Sequence, residues 1–175
     1  MNINIISDYF SKAEKLIWSF SVLITVTAFI AFDRENYLSL AASLIGVTSL
    51  IFNAKGNPFG QMLMIAFSLL YGIISYSFSY YGEMITYLGM TMPMAILALI
   101  SWLKNPYNGN KSEVTVNHVT KKELTNICLL SGAVTALFYF ILEAFNTANL
   151  IPSTVSVTTS FLAVFLAFRR SPYHA

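Results

Sequence analysis

The ten basic and eight acidic residues of this 175-residue chain fall almost wholly between long uncharged runs, and that spacing limits the possible folds more than any motif does. Cutting the sequence at its charges leaves uncharged intervals at 16–32, 36–54, 56–82, 84–103, 124–142 and 144–168. A bilayer core of about 30 Å is crossed by roughly 20 helical residues rising about 1.5 Å each, so every interval can hold one span. The pattern predicts an all-α, polytopic membrane helix bundle of six spans, with 1–175 as a single integral membrane domain. Only 10% of the residues are charged, against about 25% in soluble domains, which argues against a water-soluble globule.

The breaks between intervals carry turn chemistry. "NAKGNPFG" at 53–60 has two glycines and a proline and reads as a tight turn; "SYYGE" joins the third and fourth spans and "EAFNTANLIP" the fifth and sixth. The one long connection, "KNPYNGNKSEVTVNHVTKKE" from Lys104 to Glu123, is polar, and Pro106 and Gly109 stop the helix before it. With a cytoplasmic amino terminus, Lys12, Lys15, Lys55, Lys104, Lys111, Lys121, Lys122, Arg169 and Arg170 all fall inside and only Arg34 outside, the asymmetry expected of a correctly oriented membrane protein. The run at 16–32 has the basic flank of a signal peptide. However, Phe29 and Phe32 interrupt "AFIAF" and leave no small-residue cleavage site, so it reads as a retained helix.

A net charge of +2 predicts no nucleic-acid partner; the partners expected are the lipid bilayer and a small molecule. Cys128 is the only cysteine, which leaves no intramolecular disulfide and no cysteine metal cluster; it reads as a small packing residue. His118 and His174 stand apart from any carboxylate or thiol in a ligand or triad spacing. The sequence has neither a phosphate-binding G-x-x-x-x-G-K-[ST] loop nor H-E-x-x-H. Neither enzymatic activity nor a cofactor or metal is expected. "NKS" at Asn110 matches the glycosylation triplet but lies on the side predicted to be cytoplasmic. No uncharged interval offers a carboxylate for ion coupling, which favours passive movement of a substrate.

Within the spans, polar and small residues recur at helical steps. Ser39, Ser43, Gly46, Ser49 and Asn53 do so in the second, and Gln61, Ser68, Gly72, Ser75 and Ser79 in the third. Small residues let helix backbones approach closely; the alternative is a polar-lined path, which Asn53, Gln61 and Tyr71 favour because large polar side chains need partners. Tyr76, Tyr80, Tyr81, Trp18 and Trp102 read as an interfacial belt, whereas the deeper Tyr71 and Tyr87 can either pack or stack on a planar ligand. In "PSTVSVTTS" Ser153, Ser156 and Ser160 share one face of the last span, able to bond back to the helix or across it. Glu83 marks the outer end of the fourth span, in the first helical turn where a carboxylate complements the macrodipole. If it meets substrate, it does so at the external mouth of a path. Gly89 is expected at a close contact and Pro93 at a kink.

The stretches "NAKGNPFGQMLMIAFSLLYGIISYSFSYYGEM", "YLGMTMPMAILALISWLKNPY" and "FLAVFLAFRRSPY" together resemble, in order and spacing, the PnuC family of bacterial nicotinamide riboside and related vitamin transporters. The resemblance implies a SWEET-like fold of two three-helix bundles joined by a linking helix, with substrate bound mid-membrane between them. On it, 16–32 is an extra amino-terminal helix, 37–104 the first bundle, 105–123 a cytoplasmic loop, 124–143 the linker and 152–168 the first helix of the second bundle. It also implies a bacterial inner-membrane location and a homotrimer, and it adds Trp102, in "ALISW", to a set of substrate-binding residues otherwise made of Asn53, Gln61, Tyr71, Glu83, Tyr87 and Ser156. The sequence departs from the family in having Leu99 where the first tryptophan of G-W-x-x-W stands and Tyr87 and Ala95 where amides are common. It also stops at "RRSPYHA", before two further family helices, as a truncated product or half of an assembly would.

Two functions of different class follow. One is facilitated transport of nicotinamide riboside or a related vitamin for NAD biosynthesis, without ATP or ion coupling. The other is a vitamin-binding membrane subunit that serves an ATP-driven module; an inactive fragment is the third reading.

Overall fold

The computed structural model describes residues 9–147 and 149–172; His174 lies outside them. Among the described residues, six helices are long and apolar enough to cross a membrane: α1 (Lys12–Phe32), α2 (Tyr37–Ala54), α3 (Pro58–Ser77), α4 (Tyr81–Lys104), α5 (Lys121–Ala144) and α6 (Leu150–Phe168). They coincide with the six uncharged intervals, because a run without charges satisfies all its backbone groups in lipid only as a helix.

Local chemistry fixes the ends. Ser11 and Glu14 form a reciprocal capping box before α1, with Glu14 N–H donating to Ser11 Oγ at 3.2 Å and Ser11 N–H to Glu14 Oε2 at 2.7 Å. Asn36 Oδ1 accepts from Ser39 N–H at 3.1 Å and Asn57 Oδ1 from Phe59 N–H at 2.9 Å, while Pro58 opens α3 at a position where its missing N–H costs nothing. Thr120 and Glu123 repeat the capping box before α5. Gly56, at φ +66°, makes the turn between α2 and α3 possible.

The helices pack in a row whose order departs from the sequence at its end: α1 on α2, α2 on α3, α3 on α4, α4 on α6 and α6 on α5. Small residues set the α2–α3 and α3–α4 seams. A Cβ on Gly46 would stand 2.8 Å from the Phe67 ring, one on Gly60 2.6 Å from the backbone nitrogen of Asn53, and one on Gly72 2.5 Å from Leu88. Ser49 and Ser68 are buried and donate to their own helices, to Gly46 O at 2.8 Å and Met64 O at 2.9 Å. At these positions the small-residue stripes are packing surfaces. Two apolar clusters form, the first joining α4, α5 and α6 and the second joining α4 and α6 to the segment at Val114. Met90, Phe138, Leu142, Val157 and Phe161 form one; Ala98, Trp102, Val114 and Ala167 form the other. No residue of α1 is buried, and this helix reaches α2 through Trp18 Nε1, which donates to Thr48 Oγ1 at 3.2 Å.

The connection from 105 to 120 is more ordered than a polar loop. Strands β1 (Pro106–Tyr107) and β2 (Asn110–Val114) form an antiparallel hairpin across Asn108 and Gly109, both at positive φ (47° and 79°). Asn-Gly is the residue pair that a two-residue hairpin turn favours. The hairpin and the segment after it strap one end of the bundle: Val114 N–H donates to Gly56 O at 3.0 Å, Thr115 N–H to Asn105 O at 2.9 Å and Asn117 N–H to Arg170 O at 2.9 Å. Lys55 bridges to Glu14 at 3.2 Å at this end, and Arg169 pairs with Glu123. The opposite end carries Asp33, Glu35, Glu83 and Glu143 with Arg34.

Three expectations fail. Trp102, read as an interfacial belt residue, is fully buried. Cys128 is exposed, because its stretch of α5 turns it away from α6. Gly89 is exposed too, and a Cβ there would meet only Ile85 Cγ2 at an ordinary 3.6 Å; Gly72, Gly60 and Gly82 are the close-approach glycines of this part of the bundle.

Candidate functional site

The fourth helix is irregular where its sequence carries Gly89 and Pro93. It runs as α-helix over Tyr81–Ile85, widens to a π-helical turn over Thr86–Thr91 and resumes as α-helix over Met92–Lys104. Met92 N–H donates to Tyr87 O, five residues back, and Thr91 Oγ1 donates to Thr86 O at 3.2 Å. Pro93 has no N–H to offer Gly89 O, so the regular ladder is already broken there. The expected kink is thus a widened turn, a form that recurs at functional sites.

That turn forms one wall of a pocket of about 260 Å³ between α4 and α6, near the roughly 300 Å³ at which pockets for small ligands begin. Glu83, Thr86, Tyr87 and Thr91 line it from α4, Ser153, Ser156, Val157 and Ser160 from α6, and Leu142 from α5. Thr91 and Ser160 lie about 15 Å along their helices from the ends at Tyr81 and Leu150, so the pocket runs from the acidic end to about half the depth of a bilayer core. A larger hollow of about 370 Å³ beside Asp33, Glu35, Asn36 and Phe78 is shallower and lies on the rim, outside the α4–α6 seam.

Glu83 occupies the first turn of α4, as its position predicts, but it forms no side-chain cap: its Oε2 is buried without a hydrogen-bond partner among the described residues. Thr147 Oγ1, packed against Gly82 from the α5–α6 connection, is likewise buried and unpartnered. A buried polar atom without a partner costs about 1–3 kcal/mol, more for a charge. One turn on, the Tyr87 ring stands 5.1 Å from Tyr71 and 5.9 Å from Phe67, and Phe67 and Tyr71 are 4.7 Å apart. This aromatic group braces Tyr87 from α3 and leaves part of the residue on the pocket. Across the pocket the serine face of α6 is held in rotation by Thr158, whose Oγ1 lies 2.7 Å from Thr135 Oγ1 of α5.

Of the residues singled out in the sequence, Glu83, Tyr87 and Ser156 line this pocket together and Tyr71 supports it through Tyr87. The other three lie elsewhere. Gln61 Nε2 donates to Asn53 Oδ1 at 2.9 Å, both buried at the α2–α3 turn. Trp102 is fully buried near the basic end, its Nε1 donating to Ala167 O at 2.6 Å. Thr86, Thr91 and Leu142 join the site unforeseen; for the threonines the signal was their spacing from Glu83 and Tyr87 on one side of α4, blurred by the π turn.

Together, the fold and the pocket define a multi-spanning membrane protein with a ligand-sized, hydroxyl-lined cavity between helices. The profile of the nicotinamide mononucleotide transporter family matches residues 36–174, and the chain belongs to this family of membrane transporters. The nicotinamide riboside transporter PnuC of Neisseria mucosa is 26% identical over 109 residues, 62% of this chain and 41% of that protein; the chain thus aligns with less than half the length of this relative. The crystal structure of a vitamin B3 transporter PnuC superposes with a TM-score of 0.75 at 22% identity, covering 93% of this chain and 70% of that one, which shows a shared fold.

Proposed function

We propose that the chain moves nicotinamide riboside, or a closely related vitamin, across a bacterial inner membrane by facilitated diffusion, supplying NAD biosynthesis. The observation that carries this reading is the pocket between α4 and α6, where Glu83, Tyr87 and the α6 serines offer an aromatic face, a carboxylate and hydroxyls to one small molecule. Such a lining suits an aromatic base joined to a sugar. Family membership and the likeness to PnuC support the substrate class.

The basic end, with its hairpin strap, faces the cytoplasm on this reading, and the pocket opens to the outside. Nine of the ten basic residues then lie inside, in accord with the positive-inside rule. The 37–104, 124–143 and 152–168 segments correspond to first bundle, linker and start of a second bundle, and the functional unit is a homotrimer. Passive movement fits a pocket whose described lining holds one carboxylate, Glu83 at the outer end of α4, and no charged residue deeper in the membrane.

Uptake of labelled nicotinamide riboside by proteoliposomes tests the reading. Equilibration without ATP or an ion gradient is the expected result. Strict dependence on an ion gradient contradicts the mechanism, and uptake that requires a co-purifying ATPase assigns the chain instead to the binding subunit of a pump.

A further inference from the structure

We propose that Glu83 is the residue that reads the positive charge of the ligand, so that the pocket selects an aromatic cation carrying a hydroxylated sugar over its neutral and anionic counterparts. The inference rests on the proposed transport function and concerns the same pocket.

Glu83 presents to the pocket end of α4 a buried carboxylate oxygen without a partner among the described residues. Glu83 as a whole is half-buried, but a carboxylate oxygen removed from water and left without a partner is costly, and pairing with a cation reduces that cost. Among the described residues, the pocket itself supplies no countercharge: its lining holds Glu83 and no lysine, arginine or histidine. The nearest basic residue along the chain at this end, Arg34, donates its Nε to Ile30 O on α1 and lies outside the lining. A ligand that brings its own charge completes the site.

The rest of the lining says what else that ligand carries. Tyr87 follows Glu83 by one turn on the same wall, placing an aromatic side chain beside the carboxylate, where a delocalised ring cation gains from both. Ser156 and Ser160 face them from α6, partners for sugar hydroxyls. The two walls thus divide the ligand: charged ring on α4, sugar on α6. A phosphate on that sugar would enter a pocket of negative charge with no cation among its described lining residues to receive it, and is disfavoured. The oxidised pyridinium riboside fits this description; the reduced dihydropyridine riboside has the same sugar and nearly the same shape but no charge.

Equilibrium binding of these two ribosides to the purified, detergent-solubilised full chain tests the proposal, with Glu83→Gln and Glu83→Asp beside the wild type. The wild type is expected to bind the cation at least about tenfold more tightly than the neutral riboside, a difference of about 1.4 kcal/mol. Glu83→Gln is expected to collapse that ratio towards one, and Glu83→Asp to retain part of it. Should Glu83→Gln fail to fold, the wild-type ratio and its reduction in Glu83→Asp still decide the matter. Equal affinities in the wild type, or an undiminished ratio in a folded Glu83→Gln protein, overturn the role of Glu83 and leave transport of a riboside standing. Binding of neither riboside overturns the transport reading together with it.

Discussion

Trp102 donates its indole N–H to the carbonyl oxygen of Ala167 at 2.6 Å, from a fully buried position between α4 and α6. The contact closes the α4–α6 seam at the basic end, while the ligand-sized pocket opens the same seam at the acidic end. One pair of helices is therefore bolted at one end and hollow at the other.

Substitution at the bolt should be graded. Trp102→Phe keeps most of the packing and loses one hydrogen bond, for an expected loss of about 1 kcal/mol. Trp102→Ala leaves a cavity as well and should cost about 3–5 kcal/mol. Thermal unfolding in detergent should rank wild type, Trp102→Phe and Trp102→Ala in descending order; equal melting of the two variants would show that packing contributes nothing there.

Glycines on the row should differ sharply in tolerance. At Gly60 a new Cβ meets the backbone nitrogen of Asn53 at 2.6 Å, which cannot yield without moving α2, whereas at Gly89 it meets one methyl group at 3.6 Å. Gly60→Ala is expected to lower stability by about 1–3 kcal/mol through overpacking. Gly89→Ala should leave it within about 0.5 kcal/mol, as at an uncrowded surface site. Matching losses in a thermal-shift series would contradict the packing of the α2–α3 seam.

The contrast between these glycines shows what the sequence could and could not reveal. Charge spacing located all six helices, because a lysine or carboxylate is costly in lipid wherever it points. It could not tell Gly89 from Gly72, or locate Cys128, because lipid tails are as apolar as a neighbouring helix and burial leaves little compositional trace. The serine face of α6 was legible from its spacing, and Glu83 from its isolation. Asn53, Gln61 and Trp102 stood out as polar or aromatic residues in apolar surroundings, yet the first two bond to each other and the third to a backbone carbonyl. Large polar groups in a bundle need partners, and sequence alone does not say whether the partner is a ligand or the protein. The hairpin at 106–114 was announced by Asn108 and Gly109, a signal masked by reading that segment only as polar.

The side on which each end lies can be read from labelling. In a Cys128→Ser background, a cysteine at Asp33 should react in intact cells with a maleimide that cannot cross the membrane, and a cysteine at Lys111 should react only after the cells are opened. The reverse pattern would invert the proposed orientation and put the pocket mouth in the cytoplasm.

Restoring the missing amide at the π turn should alter function more than folding. Pro93→Ala gives Gly89 O a donor four residues on and removes the reason for the widened turn, which would rotate Tyr87 relative to the lower half of α4. Uptake is expected to fall by about tenfold, about 1.4 kcal/mol on the rate, in a protein that still purifies as a single species. Unchanged uptake would mean that the wide turn is incidental to the site.

The proposed passage of nicotinamide riboside through the pocket between α4 and α6 needs no energy source. Counterflow in proteoliposomes tests it most directly: vesicles preloaded with unlabelled riboside are diluted into labelled riboside, with no ATP and no ion gradient. Ser156→Trp, which fills the pocket from the α6 side, is compared with the wild type. Transient accumulation of label by the wild type, and its loss in a folded Ser156→Trp protein, are the expected results. Accumulation that survives the filled pocket, or that appears only when an ion gradient is imposed, would contradict the proposed passage.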